Sequence, residues 1–102
     1  MKYSLHFGPD SLNIHLEGTF NFLDSRVFRR LLATFDLNSA REEIRLNIHK
    51  LESVDATALG LLLVAHDTAK KHHRSLIFEQ PQGQVQEALA VAAVYNTLNI
   101  AL

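Results

Sequence analysis

The chain has no cysteine and no tryptophan. Without thiols, a disulfide framework, a zinc-thiolate centre and cysteine catalysis are all excluded. Charge is scarce in either direction: 10 basic and 11 acidic side chains leave a formal net charge of -1, which argues against a dedicated nucleic-acid binder. The N-terminus MKYSLHFGPD holds no apolar stretch of signal-peptide length, and no apolar run approaches the roughly 20 residues needed to cross a bilayer. A cytoplasmic location without direct membrane insertion is the default expectation. Glycine and proline are few and no repeat, linker or low-complexity tract is visible, so residues 1–102 are expected to form one domain around one core.

What the chain does have is hydrophobic periodicity. Tyr3, Leu5 and Phe7 alternate with Lys2, Ser4 and His6, the pattern of a half-buried strand. Gly8-Pro9-Asp10 turns the chain into a second alternating run of Leu12, Ile14 and Leu16, so an antiparallel hairpin is expected, closed by Gly18. From about Leu23 to Phe35 the apolar positions Val27, Phe28, Leu31, Leu32 and Phe35 fall at helical spacing, with Arg26, Arg29 and Arg30 opposite and Asn21, Asp24 and Ser25 as candidate caps. DLNSAREE reads as a loop, and Ile44, Leu46 and Ile48 mark a third strand.

A second helix follows SVDATALG and runs to about His72. SLIFE is a fourth strand, Pro81 and Gly83 break the chain, and Val85, Leu89, Ala92 and Ala93 mark a third helix before a short closing strand in LNIAL. Strands alternating with helices imply an α/β fold: a mixed, mostly parallel sheet of four or five strands with an N-terminal antiparallel hairpin. Strands covered on both faces would read as continuous apolar runs. These alternate, so the helices, about three in number, are expected mainly on one face.

The mouth of the second helix is the candidate site. A helix N-terminus carries unpaired N–H groups and partial positive charge, which suits an anion, yet Asp55 is placed to cap those groups and to repel a phosphate. On the helical wheel Ala58, Leu59, Leu62 and Ala69 turn toward the sheet, whereas Ala56 shares a side with Gly60, Leu63, Val64 and Asp67. Gly60 costs about 1 kcal/mol relative to alanine, which implies close approach by a partner or tight internal packing. The six histidines do not suggest a metal site: His6, His15 and His49 lie on polar strand faces, His72 and His73 cannot share a helix face, and only His66 turns inward. KKHHR, Lys70 to Arg74, suits the negative pole of a helix end. No nucleophile, base and orienter trio and no phosphate-cradling glycine loop occur, so a non-enzyme is expected.

The stretches IRLNIHKLESVDATALGLLL, LLVAHDTAKK, SLIFEQ and VQEALAVAAVYNTLNI, with LEGTFNF before the first helix, resemble the STAS domain of bacterial anti-sigma factor antagonists. Val54 to Gly60 follows that family's order of a hydrophobic residue, Asp, two small hydroxyl residues, a small residue, Leu and Gly. The resemblance implies partner switching: an unphosphorylated antagonist binds an anti-sigma factor that is also a serine kinase, phosphorylation of the serine after the aspartate releases it, and a serine phosphatase restores it. Either activity can reside in a response regulator carrying such domains.

Carried across, the phosphoacceptor position is Ala56, which has no hydroxyl, and Thr57 matches the neighbouring hydroxyl position as a second-ranked acceptor. Asn21 stands where many members have aspartate. Ala56 thus implies a constitutively binding form, either natural or a serine-to-alanine replacement, the intact remainder of the motif favouring replacement. Partner-binding residues implied by the resemblance and the helix face are Asn21, Phe22, Asp55, Ala56, Thr57, Gly60, Leu63, Val64 and Asp67. No cofactor and no nucleic acid are implied. Outputs of such relatives include stress responses, sporulation, motility and biofilm formation. A STAS subunit regulating an ABC-type lipid transporter is the rival reading. A nucleotide-binding module is a further rival, but the motif offers no aromatic on which a base would stack.

Overall fold

The computed structural model describes residues 1–37 and 43–102. Its elements are β1 (Lys2–Phe7), β2 (Ser11–Phe20), a 3₁₀ turn (Phe22–Asp24), α1 (Ser25–Leu37), β3 (Glu43–Val54), α2 (Ala56–Lys71), β4 (Ser75–Glu79), α3 (Gly83–Ala92) and β5 (Asn99–Ala101). The five strands lie in chain order, β1-β2-β3-β4-β5. β1 and β2 are antiparallel and the remaining neighbours parallel. Successive right-handed crossovers that always step the same way place every crossover helix on one face.

Burial follows that geometry. Leu12, Ile14 and Leu16 of β2, Ile44, Leu46 and Ile48 of β3, and Leu76 and Phe78 of β4 are buried beneath the helices. Phe28, Leu31 and Phe35 of α1, Leu61, Leu62 and Ala65 of α2, and Val85 and Leu89 of α3 complete the same core. Asn13, His15, Arg45 and Asn47 take the alternate strand positions and face away from the helices. On that open face Arg45 bridges Glu43 and Glu79, each at 3.2 Å. The Glu43 charge and then the Glu79 hydrogen bond hold its guanidinium pKa above the ordinary value.

Several sequence expectations are corrected. Gly18 does not close the hairpin unit: β2 runs through it to Phe20, with register shifts against β3 on both sides. Gly18 sits at φ 90, and a β-carbon built on it meets nothing within 4 Å, so backbone conformation alone selects glycine there. Of DLNSAREE, Asp36 and Leu37 belong to α1 and Glu43 to β3; the rest of that expected loop lies outside the described residues. Tyr3 and Phe7 stay 49% and 53% exposed, because no crossover helix follows an antiparallel edge strand to cover it. On α2, Leu59 is only partly buried, while Leu61 and Ala65 join the core. Ala93 is the exposed C-cap of α3 rather than part of its buried stripe.

Two local devices fix the ends of α2 and β3. The Lys70–Arg74 segment ends the helix in a Schellman turn, with His73 N–H on the Lys70 carbonyl at 3.0 Å and Arg74 N–H on that of Ala69 at 2.9 Å. His73 takes the left-handed conformation, φ 58, that the turn requires. Among the described residues β4 pairs with β3 only as far as Asn47, which leaves the last part of β3 without a strand on that side. Gln84 substitutes for one: its side-chain oxygen accepts from Val54 N–H at 2.9 Å and its amide donates to the Val54 carbonyl at 3.0 Å.

Gly18→Ala is expected to destabilise the protein by about 1–2 kcal/mol, the cost of a β-carbon in a positive-φ backbone. A urea midpoint unchanged from the parent would contradict that origin of the glycine.

Candidate functional site

Asp55 is where the site is built. It stands between β3 and α2 in extended conformation, and its carboxylate is divided between two chain segments. Oδ1 accepts from Ala58 N–H at 2.8 Å, capping α2, and Oδ2 accepts from Phe22 N–H at 3.0 Å, tying the β2–α1 connection to the helix start. Asp55 N–H also donates to the Phe20 carbonyl at 3.3 Å. A helix cap was legible in the sequence, but the second tie was not.

The connection held in this way is itself ordered by a capping box. Asn21 Oδ1 accepts from Leu23 N–H at 2.9 Å, and Asp24 Oδ2 accepts from Asn21 N–H at 3.1 Å. The Ser25 hydroxyl adds a bond to the Phe22 carbonyl at 2.7 Å. The main chain of this turn is therefore occupied, and its two apolar side chains are left outside: Phe22 is 61% and Leu23 75% exposed. Leu23 was absent from the sequence-derived site. Its signal was the Phe22-Leu23 pair flanked by capping residues, a place where no core-facing helix position is available.

Along α2, Ala56, Thr57, Gly60 and Asp67 are exposed, Val64 is 46% exposed and Leu63 is partly buried. Ala56, Gly60 and Val64 follow one another at four-residue spacing, so they form a stripe along one side of the helix. Asp67 continues that side but lies about 16 Å from Ala56 along the axis, at 1.5 Å per residue. Thr57 is turned about 100° from Ala56. A β-carbon built on Gly60 meets nothing within 4 Å. Tight internal packing, one of the two reasons considered for this glycine, is thus absent. Phe22 and Asn21 are brought to the helix mouth by the Asp55 bond, while Asp67 stands apart.

The histidines are spread over the molecule. His6 and His15 meet edge to face at 5.1 Å on the open sheet face, and His49 contacts the Gln82 amide at 3.1 Å. His66 is partly buried, with Nδ1 enclosed and unpaired. Among the described residues no three His, Asp or Glu side chains converge as a metal site, and no helix is long and apolar enough to cross a membrane.

Asp55→Ala removes the cap and the tie together, and about 2–3 kcal/mol of stability is expected to go with them. Asp55→Asn keeps an oxygen for only one of the two N–H groups and should fall between. Chemical denaturation of the three proteins checks this order, and equal losses for both variants would mean that only one of the bonds matters.

The family model described as Mlab, STAS domain, matches residues 4–99. Among solved structures, the anti-sigma factor antagonist SpoIIAA in its unphosphorylated form is 16% identical, with 99% of this chain and 88% of that one covered at a TM-score of 0.77. A candidate anti-sigma factor antagonist of Thermotoga maritima is 18% identical over 98% and 86%, at 0.82. An anti-sigma factor antagonist from Mycobacterium paratuberculosis is 7% identical over 98% and 84%, at 0.83. A search of the curated proteins gives no match. At these identities the structural likeness speaks for the fold. The family model spans nearly the whole chain, and the protein belongs to the STAS domain family.

Proposed function

We propose that the protein is a cytoplasmic, anti-sigma factor antagonist-like regulator that binds a protein partner through the start of α2 and the adjoining 3₁₀ turn. The partner class is an anti-sigma factor that is also a serine kinase, with a serine phosphatase as counterpart, either of which can be a domain of a response regulator. The observation that carries the reading is the bare stripe Ala56, Gly60 and Val64 beside exposed Phe22 and Leu23, set on a turn and a helix start that the Asp55 carboxylate ties together. Such a surface is rigid, small-featured and apolar in its middle, which favours close approach by another chain. A phosphoryl group at position 56 would bring about two negative charges beside Asp55 and into the contact. Ala56 has no hydroxyl to accept it, so binding is constitutive.

The lack of a hydroxyl also favours a second reading, a STAS regulatory subunit of an ABC-type lipid transporter, since a permanent subunit needs no switch at this position. Affinity capture from the source cell separates the two. Recovery of a GHKL-type kinase supports the first, and recovery of an ABC ATPase supports the second.

With the captured partner in hand, Ala56→Asp is expected to weaken binding at least about tenfold through charge placed in the interface, and Ala56→Ser to become an acceptor for the cognate kinase. Gly60→Ala gives an opposed pair of readouts. It should stabilise the free protein by up to about 1 kcal/mol while weakening the complex. Titration calorimetry alongside thermal unfolding measures both, and undiminished affinity in Ala56→Asp and Gly60→Ala would remove the proposed surface.

A further inference from the structure

Three arginines lie outside the site just described. Arg26, Arg29 and Arg30 are exposed on the first half of α1, while Phe28, Leu31 and Phe35 of the same helix are buried in the core. At about 100° per residue the three arginines point almost directly away from that buried side. They form a row on the outer surface of the helix layer.

The row is unfavourable in the free protein. Arg26 stands three residues before Arg29 and four before Arg30, the spacings at which like charges on a helix meet and repel. It also occupies the first turn of α1, where the partial positive charge of the helix end disfavours a cation, and that turn holds no acid. Asp24, just before it, is divided between the Met1 ammonium at 3.3 Å and Asn21 N–H at 3.1 Å. Among the described residues no carboxylate comes within ion-pair reach of the three guanidinium groups.

The row also borders the apolar surface. α1 packs beside α2, whose outward side carries the Ala56, Gly60 and Val64 stripe, and the Asp55 bonds set Phe22 and Leu23 at the head of both helices. From Arg26 to Arg30 the row spans about 6 Å along the axis. An apolar middle with a charged rim is the layout of a protein interface.

We infer that Arg26, Arg29 and Arg30 are the basic rim of the docking surface, and that the protein partner meets them with a cluster of carboxylates. This rests on the reading that the partner covers the start of α2. Each planar guanidinium can take a carboxylate through two parallel hydrogen bonds, and doing so relieves the repulsion within the row. An anionic lipid surface would also meet the charges, but it is broad and smooth and cannot follow the narrow bare strip at Gly60 beside them. An acidic protein surface serves both. The row steers association and sets orientation, while the apolar middle holds the complex.

Poly-L-glutamate is the probe for the free protein. Titration followed by backbone amide NMR shifts is expected to move the amides around Arg26, Arg29 and Arg30 in a saturable way, and Arg26→Glu combined with Arg30→Glu should weaken that binding at least about tenfold. No natural partner is involved, so this result does not depend on the Ala56 surface. With the captured partner, Arg26→Glu alone should slow association at least about tenfold at low salt, and by less in about 0.5 M salt. The same substitution places an acid in the first turn of α1 and should raise the melting temperature by a few degrees, so slower association would not reflect unfolding. Lys2→Glu changes net charge equally from an exposed position on the opposite face of the sheet and should leave association unchanged. Shifts centred away from α1, an Arg26→Glu protein that associates as fast as the parent, or equal slowing by Lys2→Glu would each overturn the inference, while Ala56→Asp still decides the docking surface on its own. Tighter Arg26-dependent binding to phosphatidylglycerol vesicles than to poly-L-glutamate would overturn it in favour of a lipid surface.

Discussion

One carboxylate holds the functional end of the molecule together. Asp55 gives one oxygen to the first turn of α2 and the other to Phe22, so two segments 33 residues apart in sequence share one anchor. Neither bond alone would define the surface. The cap fixes where the helix starts, and the tie fixes where the neighbouring apolar turn sits against it. Both N–H groups are ones that no helix or strand ladder can satisfy, so the acid is matched to a need created by the fold itself.

The arrangement explains how a surface can be exposed and still well defined. Around Phe22 and Leu23 the main chain is engaged by Asn21, Asp24, Ser25 and Asp55, and at the far side Gln84 clamps Val54 just before the acid. A main chain held in such a frame has little further freedom to lose when its side chains are covered, which lowers the entropic cost of association. The bare backbone at Gly60 extends the same surface along α2.

Much of the fold was legible because only one face of the sheet is covered. Alternation in β1, β2 and β3 survives in the sequence when the far face is wet, and the hairpin and SLIFE read directly from it. What escaped notice has a common cause: it depends on contacts between distant segments or on backbone angles. Gly18 looked like punctuation because a positive-φ glycine inside a strand carries no mark distinguishing it from one in a turn. Gln84 drew no reading from the sequence, since nothing local marks it, and only the early end of β4 gives its amide a strand to imitate. The acid at position 55 was readable as a cap because capping is local. Its hold on Phe22 was not, since nothing in either segment names the other.

The strand order has a consequence for how the molecule comes into being. Because the sheet grows in the order in which the chain is made, each new strand leaving the ribosome finds its neighbour already laid down. The nascent protein can assemble by accretion from its amino-terminal hairpin, each strand being laid on the edge that the one before it left open.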